Sequence, residues 1–170
     1  MGPIQELLAV NQRQTLEFFV TGLQDVSDPG VDRQELLYNA SVLAHYAQVS
    51  AIAELEMPAP VNLSAVFDHF VLNAAVPQDA RLMETAGAQC LFLTGFFEDQ
   101  LRARHHIRWY AELGAGFFIR AAGQAQSTKR ARLLTMMARN FEPWRQRHAR
   151  LSRELRNQAY LLTPPPSSLM

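Results

Sequence analysis

Five histidines and a single cysteine carry most of the reactive side-chain chemistry in these 170 residues, so their spacing is weighed first. Helical bundles that hold two metals use Glu-x-x-His, because a three-residue step on a helix aims both ligands at one interior point. The residues three places before His45, His69, His105, His106 and His148 are Val42, Val66, Arg102, Ala103 and Arg145. None is an acid. His-x-x-x-His and Cys-x-x-Cys do not occur either, so the spacing assigns no metal ligand. Gly-x-Ser-x-Gly, the P-loop pattern and Gly-x-Gly-x-x-Gly are missing as well, which removes the commoner hydrolase and nucleotide readings. No catalytic residue and no cofactor is expected.

Three groups of residues remain as candidates. The pair His105-His106 is flanked by Arg102, Arg104 and Arg108, which opposes protonation and suits a neutral base or ligand. Consecutive helical residues diverge by about 100°, however, so the pair reads better as a polar turn whose cations complement the negative end of the preceding helix. His45 falls on the Tyr38, Val49 and Ile52 side of an apolar helix. It is either a core histidine bonded to a tyrosine or one wall of an apolar ligand cavity, with Tyr38, His45, His69, Cys90 and Phe92 as candidate lining residues. Cys90 lies among apolar neighbours with no base at hand, which reads as a small core residue.

The third group is the run "KRARLLTMMARNFEPWRQRHARLSRELR". Arg147, Arg150, Arg153 and Arg156 recur at three-residue steps and so form a slanting ridge on a helix. Arginine forks engage phosphates or carboxylates. The partner-binding candidates are Arg139, Trp144, Arg145, Arg147, Arg150 and Arg153. The alternative is an outer face whose arginines pair with acids from the first half of the chain. Formal net charge is zero, yet residues 1–100 carry −10 and residues 101–170 carry +10. A chain devoted to nucleic acid usually carries an overall positive charge, so acidic and basic helices facing one another in a bundle, or across a dimer, is the favoured reading.

Helices must position these groups, because helical period dominates and no alternating strand is evident. The expected helices span about 4–24, 32–55, 63–74, 79–104, 106–124 and 127–160. Pro29-Gly30 marks a turn, Asp32 caps the second helix with Glu35 as a capping-box partner, and Pro58 and Pro60 end it. Pro143 should kink or break the last, with a fresh start near Phe141. Helices near 33–55 and 79–104 are apolar on more than one side, which places them centrally. Gly114 should allow close backbone approach, against Gly87 or Gly95. The fold expected is all-α, a single-domain bundle of about six helices over 1–160, followed by a Pro-rich tail at 161–170.

One cysteine rules out an internal disulfide and fits a reducing compartment. The chain opens without a basic-then-apolar leader and holds no long apolar run, so a cytoplasmic location is expected. The pieces "ETAGAQCLFLTGFFEDQLRARH" and "WYAELGAGFF" resemble a segment of uncharacterised bacterial all-helical proteins. The resemblance implies a helical bacterial protein and no particular activity. The function expected is that of a non-enzymatic interaction protein, a regulator, adaptor or assembly subunit, acting through a protein partner or self-association. Its alternatives are a bundle binding a small apolar ligand or cofactor, and nucleic-acid binding through the Arg-rich C-terminal helix.

Overall fold

A computed structural model describes residues 3–52, 80–103 and 106–157, with the side chains of 3–12 and 48–52 left out. Seven helices lie in these residues: α1 (Pro3–Asp25), α2 (Arg33–Ile52), α3 (Ala80–Phe96), the single turn α4 (Glu98–Leu101), α5 (Ile107–Gly123), α6 (Thr128–Arg139) and α7 (Phe141–Asn157). The described residues contain no strand, and the fold is all-α. No helix among them is long and apolar enough to cross a membrane. The expected helix at 63–74, His69, His105 and the tail at 161–170 lie outside the described residues.

Local chemistry sets the helix ends. After α1, Ser27 Oγ donates to the Leu23 carbonyl, and the Val31 amide closes a turn over Pro29-Gly30 by donating to the Asp28 carbonyl at 3.1 Å. Asp32 Oδ2 then accepts from the Glu35 amide at 3.0 Å, satisfying one of the orphan donors at the start of α2. Ser127 serves α6 in the same way through the Arg130 amide. The expected long final helix is two helices, because Asn140 leaves helical geometry (φ −102°, ψ 21°). α7 restarts at Phe141, with Pro143 in its first turn, where a missing N–H costs nothing.

The expected continuous helix over 79–104 also divides. Phe97 sits at φ −108°, ψ 24°, and α4 begins after it. This step turns Glu98 inward and Asp99 toward α7, where both carboxylates meet arginines. No proline marks the break; Gly95 lies two residues before it, and the carboxylates that follow pair with arginines of a distant helix.

α3 occupies the middle of the molecule, packed between α5 and α7, while α6 lies against α5 and α1 pairs with α2. Trp144, Phe117, Phe118, Leu91, Met83 and Met137 are all essentially sealed from solvent. Two glycines permit the close crossings. A Cβ on Gly95 would lie 2.7 Å from the Cβ of His148 and 2.9 Å from the Arg145 carbonyl oxygen, so α3 and α7 meet backbone to backbone. A Cβ on Gly114 would lie 2.7 Å from the Cβ of Cys90 and 2.6 Å from the Phe141 ring. Gly114 therefore does face α3, but at Cys90 rather than at a glycine.

Candidate functional site

Several arginines of the last helix pair with acids of the first half of the chain, and others with acids of their own helix. Glu98, nearly buried, accepts from Arg102 Nη2 at 2.6 Å, from Arg145 Nη1 and from Arg153 Nη2. Arg145 also forks onto Glu142, with Nε to Oε2 at 2.9 Å and Nη2 to Oε1 at 2.6 Å, and reaches the Thr94 carbonyl. Asp99 takes Arg153 Nε at 3.2 Å and Arg156 Nη2 at 2.6 Å. Burial pushes the Glu98 carboxyl up, but the hydrogen bond and charge of Arg145, with Arg153 and Arg102, bring it below its usual range. The hydrogen bonds from Arg153 and Arg156 hold Asp99 at about 2. Farther off, Arg130 pairs with Glu84.

The predicted ridge is therefore not a free cationic surface. Trp144 was expected on a partner surface and is instead fully buried, its Nε1 donating to Glu35 Oε1 at 2.9 Å. Arg145 is buried because two carboxylates neutralise it. Arg147 lies over the Trp144 ring, 4.4 Å from its centroid. Arg150 stands 3.7 Å from Glu154, and Arg153 is held by Glu98 and Asp99. Arg139 is exposed and has no acid partner among the described residues.

The described candidate ligand-lining residues lie on different sides of their helices, Tyr38 and His45 on one side of α2 and Cys90 and Phe92 on different sides of α3, and His69 is outside the described residues. Tyr38 and His45 share a shallow groove of about 280 Å³ with Glu84, Thr85 and Arg130. His45 is exposed, its ring edge-on to Tyr46. Tyr38 bonds Glu84 Oε2 at 2.8 Å rather than the histidine; burial first, and then the charge of Glu84, push its phenol above the ordinary range. Phe92 stacks on Tyr46 at 4.5 Å. Cys90 is fully buried on another side, where burial pushes its thiol up to about 12. At neutral pH that group is neither a nucleophile nor a ligand.

Sequence reasoning missed a buried polar cluster joining α2 to α6 and α7. Glu35 completes no capping box; its Oε1 accepts from Asn140 Nδ2 and Trp144 Nε1, both at 2.9 Å. Asn39 Nδ2 donates to the Glu35 carbonyl and lies 3.3 Å from Met137 Sδ. That leaves Asn39 Oδ1 to accept from His148 Nε2 at 2.9 Å. The protonated nitrogen of His148 is thus Nε2, and its buried Nδ1 has no partner among the described residues. Burial lowers the imidazole to about 3, so it stays neutral. The signal was present in the spacing: residues 35 and 39, and residues 140, 144 and 148, repeat at four-residue steps along otherwise apolar stripes.

One open cleft gathers several of the chain's charged groups. It has a volume of about 810 Å³ and lies between α5 and the α6–α7 junction, next to α4. Ile107, Ala111, Ala115, Ala138 and Phe141 make its apolar floor, and Glu98 with Arg145 forms one wall. Arg102, Arg108 and Arg139 stand at its rim, with Glu112 and Glu142 beside them. His106, the residue that precedes α5, also borders it; its backbone is extended and its side chain caps nothing. The Glu98 and Glu142 carboxylates are occupied by Arg145, and Arg108 reaches Glu112 only at 3.7 Å with 94% of its side chain exposed. Among the described residues, no three or more His, Cys, Asp or Glu side chains gather as a metal site. Comparison of the chain with protein-family models, with curated proteins and with solved structures finds no match.

Proposed function

We propose that this chain acts by association with another protein, as a regulator, adaptor or assembly subunit, and that the cleft beside α5 is where the partner docks. The reading rests on one observation: an apolar floor of Ile107, Ala111, Ala115, Ala138 and Phe141 under a rim where Arg102, Arg108 and Arg139 outnumber Glu112 and Glu142. An amphipathic helix buries its apolar face in a groove of this kind, anchored by side chains three and four residues apart. The rim arginines suit a partner helix with acidic flanks, because charges across an interface steer encounter and fix register. The alanines keep the floor low enough for a helix to lie in it.

The test compares the wild-type chain with Ala115→Trp/Arg139→Glu, which fills the floor and reverses the rim. Arg132→Glu, on α6 and outside the cleft, is the control. Proteins cross-linked and retained by the wild type and by the control should fall at least fivefold with the cleft variant, while circular dichroism and melting temperature match. Identical retention by all three would refute the reading.

A further inference from the structure

We infer that the groove between α1 and α7 is a second docking site, opposite in sign to the rim of the cleft, for a basic amphipathic helix of another protein. The groove has a volume of about 440 Å³ and shares no lining residue with the cleft. Glu17, Phe18 and Asp25 of α1 line one side of it, and Leu151, Glu154 and Leu155 of α7 the other. Glu17 and Asp25 stand about 12 Å apart along α1, with Phe18 between them. Leu151 packs into the gap left by Gly22, where a Cβ would lie 2.9 Å from the leucine Cδ1. Phe18 is 42% exposed, its ring edge-on to the neighbouring Phe19. Together with the half-buried Leu155 it leaves an apolar strip open between carboxylates.

Charge decides what the strip can receive. Three carboxylates and no cation line this groove. Glu154 has Arg150 at 3.7 Å, an exposed pair of little weight. Glu17 and Asp25 have no cationic partner among the described residues. Residues 1–12, 48–79 and 158–170 contain no Lys or Arg, so a cation for these acids has to come from the described residues, from Arg104 or from outside the chain. Glu98 and Asp99, by contrast, are already met by arginines of α7. Carboxylates left open around an apolar strip repel nucleic acid and anionic membrane surfaces. They favour a partner bearing cations, and a groove between two helices takes an apolar stripe with anchors three and four residues apart. The basic amphipathic helices of this chain, α6 and α7, turn Leu134, Met137, Trp144 and Leu151 into its own core, which leaves that role to another protein.

The probe is a helical peptide of about 18 residues, with leucines at three- and four-residue steps and lysines on both flanks, titrated by fluorescence anisotropy. The full chain should bind it in the micromolar range, as small interfaces do, and less tightly as salt rises. A peptide of the same composition with its leucines scattered round the helix should bind at least about tenfold more weakly. Glu17→Lys/Asp25→Lys should weaken binding at least about tenfold and Phe18→Ala at least about threefold. All three positions are exposed, so circular dichroism and melting temperature should stay as in the wild type. Ala115→Trp, which fills the cleft, should bind the peptide as the wild type does, so this inference and the reading of the cleft fail separately. No binding, equal binding of the scattered peptide, or indifference to the α1 variants overturns the inference. So does a wild-type chain that dimerises in sedimentation equilibrium and turns monomeric as Phe18→Ala, since the occupant is then a second copy.

Discussion

Glu98 and Asp99 are neighbours in sequence with opposite energetic weight. Glu98 is nearly sealed and partly neutralises the buried Arg145, whereas Asp99 sits at the surface with 36% of its side chain exposed. Removing one partner of a buried ion pair is costly because the other charge stays behind. Glu142 still holds Arg145, so Glu98→Ala should cost about 2–3 kcal/mol in urea denaturation, less than a fully orphaned charge would. Asp99→Ala should cost about 0–1 kcal/mol, as exposed pairs do. His148 gives a pH signature. The unfolded imidazole takes a proton below its ordinary value of 6.5, and the folded one only below about 3. Between those values the folded state binds fewer protons, so acid favours unfolding. Thermal stability should fall as pH drops from 6.5 toward 4, by at most about 1.4 kcal/mol per pH unit from this group, and His148→Gln should flatten that slope. Helical period alone puts His148 in one stripe with Met137, Phe141, Trp144 and Leu151, so its burial was legible. Its partner Asn39 was not, because nothing local links residues 109 positions apart.

At the scale of elements, two glycines two residues apart on α5 should behave oppositely. Gly114→Ala drives a methyl against Cys90 and the Phe141 ring and should lower stability by about 1–3 kcal/mol, the cost of overpacking. Gly116→Ala meets no atom within 4 Å among the described residues and should stabilise the fold by up to about 1 kcal/mol through helix propensity. Chemical denaturation at low protein concentration measures both. Helix ends that rest on local chemistry could be read in advance: the turn at Pro29-Gly30, the Asp32 cap, and the restart at Phe141 signalled by Pro143. The break at Phe97 was not legible, since Gly95 alone does not end a helix and the arginines that hold Glu98 and Asp99 after it lie more than 45 residues away. The cleft was invisible for a related reason: its floor combines small residues of α5 with residues of α6 and α7, none of them distinctive in sequence.

Across the whole molecule, the −10 and +10 halves meet inside one fold through Arg130 with Glu84, Arg145 and Arg153 with Glu98, and Arg153 and Arg156 with Asp99. The charge asymmetry is thus in good part structural, as the pairing of acidic and basic helices required. What the sequence could not show was which cations would be left over; Arg139 at the cleft rim is one of them. The formal net charge remains zero, with a sequence pI near 7.0, and proteins with no net charge associate and precipitate most readily. Solubility measured by polyethylene glycol precipitation should pass through a minimum near pH 7 and rise on either side.

The lone thiol offers an internal stopwatch. Cys90 is sealed beneath Gly114 on α3, the helix packed between α5 and α7. A disulfide reagent in plain buffer can therefore react only during moments when α5 lifts away from α3. With the reagent in excess, labelling reports how often the centre opens, without denaturant and without any engineered probe. Gly114→Ala should quicken that clock while Gly116→Ala leaves it slow.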